Sequence, residues 1–114
     1  MLNRRSLALV FALLLGCVSP RAQACEVQIQ VTNSSTFTIV AVTTRSLGSD
    51  TWSANLISGD ISPNGKPQVI GWSGTGDYEI GIEFTTTKAP FVVPAHNICG
   101  KSRLVASTKG VVIQ

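Results

Sequence analysis

The sequence predicts an all-β protein, a small antiparallel β-sandwich of about six to eight strands, immunoglobulin-like or similar, and three observations carry that prediction. Apolar residues alternate with polar ones over short runs, the period of a half-buried strand. Gly, Pro, Asn and Ser cluster between those runs at the spacing of turns. No segment after residue 25 sustains the apolar period of a helix, so no helix is available to carry the crossover of a parallel pair.

The first element stands outside the fold. Arg4 and Arg5 precede an uninterrupted apolar run from Leu7 to Leu15, too short to span a bilayer, and together they read as an export signal. Ala22-Gln23-Ala24 supplies the small residues that a signal peptidase accepts, giving a signal peptide over 1–24 and one domain over 25–114. Leu14-Leu15-Gly16-Cys17 offers a second cut, because it resembles a bacterial lipobox in which the Cys17 thiol is acylated. The signal would then be 1–16, and Val18 to Ala24 would tether the domain close to a membrane. Both readings stay open at this point.

The strands follow in order. Val27, Ile29 and Val31 alternate with Glu26, Gln28 and Gln30, and Asn33-Ser34-Ser35 is a turn that also matches the glycosylation sequon. A β-branched strand is expected over Thr36 to Thr44, ending in the cluster Ser46-Leu47-Gly48-Ser49-Asp50. Trp52 to Ile57 reads as a short strand or a helical turn. Pro67 to Trp72 is the next strand, and Gly71 to Gly76 a glycine-rich corner. Tyr78, Ile80, Ile82 and Phe84 share one face of the clearest strand, with Asp77, Glu79, Gly81 and Glu83 on the other. Phe91-Val92-Val93, between Pro90 and Pro94, suits an edge strand. Leu104 to Ala106 and Val111 to Ile113 complete the chain around Lys109-Gly110.

The charge excludes one class of partner. Of nine Lys and Arg, three precede Cys25, which leaves six against all six acidic residues, so the domain is near neutral despite a whole-chain pI of about 9.0. Nucleic-acid binding needs a concentrated basic surface, and none is visible. A domain of about ninety residues buries only about 60–65 % of its unfolded surface and gains from a crosslink. Either cut leaves Cys25 and Cys99 to pair, the second with a lipidated Cys17 besides, and the pair is expected to form a disulfide in an oxidising compartment.

No reactive constellation is visible. The only histidine, His96, has no free nucleophile to activate and reads as a surface or turn residue. Gly71-Trp72-Ser73-Gly74-Thr75 begins like a nucleophile elbow but lacks the last glycine and the following helix. The acidic face of Asp77, Glu79 and Glu83, with Asp50 or Asp60, has the oxygen chemistry for calcium but no loop to organise it. No cofactor and no metal site is expected. The remaining lead is aromatic: Trp72 at its glycine-rich corner, with Trp52 and Asp50 of the Gly48 to Trp52 turn, are the candidate interaction residues.

Several short stretches stand in a recognisable order: Asn33…Thr38-Ile39, Gly48-Ser49-Asp50-Thr51-Trp52, Asn55-Leu56-Ile57, Pro63-Asn64-Gly65, Asp77-Tyr78-Glu79-Ile80 and Asn97-Ile98-Cys99. That order resembles a loose group of small exported bacterial proteins with the pattern GSDxW…NL…YxI…NIC. The resemblance implies a compact β-sandwich of unknown function rather than an enzyme. Many members of the group carry a cysteine just before the Tyr-x-Ile strand, where this chain has Gly76, which makes Cys25 the substitute partner for Cys99. The Cys25, Trp52, Cys99 order also resembles the immunoglobulin signature, but Trp52 lies too far from Cys25 and Asn97 stands where the corner tyrosine belongs.

The expectation that results is an exported, non-enzymatic envelope protein, periplasmic or secreted, that binds another protein or a surface component, in the manner of an inhibitor that inserts one loop. A small-ligand or calcium-binding β module is the alternative, and so is a lipid-anchored structural accessory protein of the outer membrane. Membrane contact would come only through a lipid on Cys17.

Overall fold

The computed structural model describes residues 24–86 and 89–114. Cys17 and the export-signal readings fall outside the described residues. Among the described residues seven strands form the fold: β1 (Cys25–Ser34), β2 (Ile39–Ser46), β3 (Gln68–Gly74), β4 (Tyr78–Phe84), β5 (Phe91–Ala95), β6 (Arg103–Ser107) and β7 (Gly110–Ile113). They pair into a four-stranded sheet in the order β3-β1-β6-β7 and a three-stranded sheet in the order β2-β4-β5, the small sandwich that the alternation predicts.

The alternation explains the packing. Along β1, Val27, Ile29 and Val31 are buried while Glu26, Gln28 and Gln30 are exposed. Ile29, Val31, Ile70, Leu104 and Ala106 of one sheet meet Ile39, Val42, Ile80 and Ile82 of the other, and Ile57, Ile61 and Ile98 from the connections fill the margins. Each of the Ile, Leu and Val side chains contributes about 1.5–3 kcal/mol by leaving water.

One pairing departs from the antiparallel expectation. β1 and β6 run parallel, from Gln30 beside Arg103 to Ser34 beside Ser107. Parallel neighbours need a long crossover. Here the second sheet is that crossover, since β2, β4 and β5 all lie between the two strands in the chain. The Cys25–Cys99 disulfide sits where both strands begin: Cys25 opens β1, and Cys99 lies in a turn of 3₁₀ helix (Ile98–Gly100) just ahead of β6. Its Cα atoms are 5.9 Å apart, and with a sequence separation of 74 it stabilises by about 2–4 kcal/mol, largely through the unfolded state.

Other boundaries moved for identifiable reasons. β2 begins at Ile39, not Thr36, because Asn33 holds the preceding residues in a tight turn: its Oδ1 accepts from the Ser35 N–H at 3.0 Å and its Nδ2 donates to the Phe37 carbonyl at 2.8 Å. Asn33 is fully buried and, with Ser34, still belongs to β1, so the turn expected over Asn33-Ser34-Ser35 begins only at Ser35. The expected corner over Gly71 to Gly76 is mostly strand, since β3 continues through Gly74.

Trp52 to Ile57 forms neither a helical turn nor a regular strand but an extended crosspiece along the outer edge of β2. Backbone N–H groups of Ser53 and Leu56 donate to the carbonyls of Thr44 and Val42, both at 2.8 Å. Side chains replace the remaining ladder partners: Ser53 Oγ accepts from the Thr44 N–H at 3.0 Å, and Asn55 Oδ1 accepts from the Val42 N–H at 3.0 Å. Farther along, Ile61 pairs with Ile39 of β2, and Asn33 Nδ2 also donates to the Ile61 carbonyl at 2.8 Å.

Candidate functional site

The crosspiece and β3 border a cleft of about 280 Å³. Its apolar lining is Trp52, Leu56, Trp72 and Tyr78, and its polar lining is Thr44, Arg45, Ser46, Ser49, Thr51 and Ser53. Two of the three sequence-suspected residues, Trp52 and Trp72, therefore converge on one place. The third, Asp50, is exposed on the turn between Ser49 and Thr51 and does not line the cleft.

Trp52 reaches the outer face of the three-stranded sheet because that face has a gap at Gly81. A Cβ at Gly81 would lie 3.2 Å from the Trp52 ring and 3.0 Å from Thr43 Oγ1, so the glycine lets the indole lie closer than a larger residue would without a shift of its neighbours. Gly81 is buried as a result, on a face the sequence pattern assigns to solvent. The Arg45 guanidinium carbon sits 4.4 Å from the Trp52 ring centroid, a cation–π contact worth about 0.5–1 kcal/mol. Arg45 Nε donates to Glu79 Oε1 at 3.0 Å.

Trp72 is on β3 and points into the mouth of the sandwich, where it meets Tyr78 edge-to-face at 5.6 Å. Gly74 makes the contact feasible: a Cβ there would stand 2.8 Å from both Trp72 Nε1 and the Tyr78 hydroxyl. The Trp72 Nε1–H is buried and has no hydrogen-bond partner. An unpaired buried donor costs about 1–3 kcal/mol, which a ligand acceptor could recover.

The two loops suspected from the sequence are neighbours in space. Leu47, ahead of the Gly48 to Trp52 turn, donates its N–H to the Asp77 carbonyl at 3.0 Å. Asp77 in turn anchors the following loop, its Oδ1 accepting from the Asn97 N–H at 2.9 Å with His96 Nδ1 3.4 Å from Oδ2. The Asn97 N–H first, and His96 second, hold the Asp77 carboxyl below its ordinary pKa. His96 is an exposed turn residue, in agreement with its sequence reading.

The acidic face does not assemble as a cation site. Glu79 is paired with Arg45 and Asp77 with the 96–97 backbone and side chain, and among the described residues no three His, Cys, Asp or Glu side chains converge. The cleft lining holds hydroxyls but no histidine, carboxylate or cysteine to act as a base or nucleophile. Its chemistry is that of recognition: aromatic surface, hydroxyls of either hydrogen-bonding sense, and one unpaired donor.

A second hollow of about 300 Å³ lies among Phe37, Phe84 and Phe91, near the β1–β2 and β6–β7 turns. Phe37 and Phe91 are each 48 % exposed. Among the described residues it has no buried unpaired donor of the kind that Trp72 presents.

Sequence reasoning missed Arg45, Leu56 and Tyr78. Tyr78 shares its strand face with Ile80 and Ile82, which gives no sign of a cleft residue, and nothing local marks Arg45, whose role follows from the register that sets it beside Glu79. No protein-family model, curated protein or solved structure matches the chain.

Proposed function

We propose that the protein is an exported, non-enzymatic binding protein of the bacterial envelope that recognises another protein through the Trp52–Trp72–Tyr78 cleft. The observation that carries the reading is the buried, unpaired Trp72 Nε1–H in a mixed aromatic and hydroxyl-lined cleft. Such a donor makes binding selective, because a partner that lacks the matching acceptor leaves it unsatisfied. The Cys25–Cys99 disulfide fits an oxidising compartment, and among the described residues no helix is long and apolar enough to cross a membrane.

The test is capture from envelope extract with the wild-type protein and with Trp72→Phe, which keeps a ring but deletes the N–H. A partner retained by the wild type and lost by the variant supports the reading. Equal capture by both proteins removes the cleft from the account.

A further inference from the structure

We propose that β3 is an acceptor edge: an extended segment of a partner polypeptide adds to it as a further strand and places one acceptor-bearing side chain in the cleft beside Trp72. This rests on the protein-binding reading above and specifies its mode.

The sandwich has four edge strands, β2, β5, β3 and β7. Edges are normally blunted by prolines, charges, shortness or a covering segment. β2 is covered by the crosspiece and its Ser53 and Asn55 side chains. β5 contains Pro94, and β7 is only four residues long. Among the described residues β3 has none of these guards: it is seven residues, Gln68-Val69-Ile70-Gly71-Trp72-Ser73-Gly74, with no proline and no charge.

The direction of its free backbone groups follows from the ladder. The Gln30 N–H of β1 donates to Ser102 on the β6 side. N–H and C=O directions alternate along a strand, so Val27, Ile29 and Val31 turn theirs toward β3. Their partners Trp72, Ile70 and Gln68 are the β3 residues bonded to β1. Val69, Gly71 and Ser73 therefore point N–H and C=O away from the sheet. No backbone–backbone bond beyond the β1 ladder reaches residues 68–74 among the described residues. A row of donors and acceptors at every second residue is complementary to one thing, another extended backbone.

The cleft decides between a partner strand and a second copy of β3. The inward side chains of β3 are Gln68, Ile70 and Trp72 with Gly74, and the Gln68 amide is already engaged by Ser58 and Gly59. A second copy would thus bring no free acceptor to Trp72 Nε1. A partner segment carrying Asn, Gln, Asp, Glu, Ser or Thr at that position would.

The probe is a phage-displayed library of random peptides long enough to span the strand, selected on the full disulfide-bonded protein and then made synthetically. Selected peptides should bind the wild type, and about tenfold more weakly each of Val69→Pro and Ser73→Pro, which delete outward donors but leave the β1 ladder intact. Val69→Thr and Ser73→Thr should bind as the wild type does. Should a proline variant fail to fold, peptides N-methylated at single positions carry the same test on the wild-type protein, with losses at alternate positions only. Amide exchange at Val69, Gly71 and Ser73 should slow on peptide binding.

Peptides whose binding requires Trp72 but tolerates both prolines, with those amides exchanging freely, would overturn strand addition while leaving the cleft as a binding site. Peptides indifferent to Trp72 and to both prolines would overturn the binding-site reading as well. Failure to select any peptide, or a dimer in sedimentation that protects the same three amides, would overturn the partner strand.

Discussion

β2 and β3 border the same cleft, yet one edge is sealed and the other is open. At β2 the chain lays Trp52 to Ile61 alongside and supplies Ser53 Oγ and Asn55 Oδ1 as acceptors for strand N–H groups. At β3 nothing comparable reaches Val69, Gly71 or Ser73 among the described residues. The polar atoms differ in the same sense. Those at the sealed edge are paired and stabilise the fold, whereas the Trp72 Nε1–H at the open edge is unpaired and weakens it. The contrast shows that an edge can be closed by side chains without a regular strand, and that the cost at the open edge falls on the buried indole N–H rather than on the exposed backbone.

The largest expected effect breaks the seal at its top. Asn33→Ala removes the donor to the Phe37 and Ile61 carbonyls and the acceptor for Ser35, and should destabilise by about 3 kcal/mol, lowering Tm by about 15 °C. Thermal and urea melts measure it, and a loss below about 1 kcal/mol would mean that the crosspiece is held without Asn33.

Breaking the seal lower down is a smaller change with an added consequence. Asn55→Ala frees the Val42 N–H and should cost about 2 kcal/mol. It also exposes a second pairing edge, so sedimentation should show self-association that the wild type does not. A variant that melts lower but stays monomeric would show that the Ser53 and Leu56 backbone bonds suffice as a guard.

The smallest effect lies at the open edge, and its sign is opposite. Trp72→Phe deletes an unpaired donor, so stability should change by less than about 1 kcal/mol, toward a gain, even as partner binding falls. A loss above about 2 kcal/mol in a denaturant melt would instead make the indole a packing residue first.

Several of these features are visible in the chain itself. Period-two alternation marks β1 and β4, prolines mark β5 as an edge, and Cys25 and Cys99 foretell their bond. Trp72 stands out by its setting among glycines. Gly81 does not, because a glycine in an alternating strand looks the same whether it faces water or an indole that arrives from a distant part of the chain, as Trp52 does. Asn55 reads as an ordinary loop residue, since the Val42 N–H it satisfies belongs to another segment. The parallel β1–β6 pair escaped for a related reason. Local pattern reports which face of a strand is buried but not which strand lies beside it.

The sequence by itself determined the all-β class, the position of most strands, the near-neutral domain and the cysteine pair, because periodicity, turn chemistry and composition act through neighbours along the chain. The tertiary structure alone decided the parallel pairing, the sealing of β2, the burial of Gly81 under Trp52, and the meeting of Trp52, Trp72 and Tyr78 in one cleft. Those depend on the contacts of residues distant in sequence, and such contacts exist only once two sheets have packed.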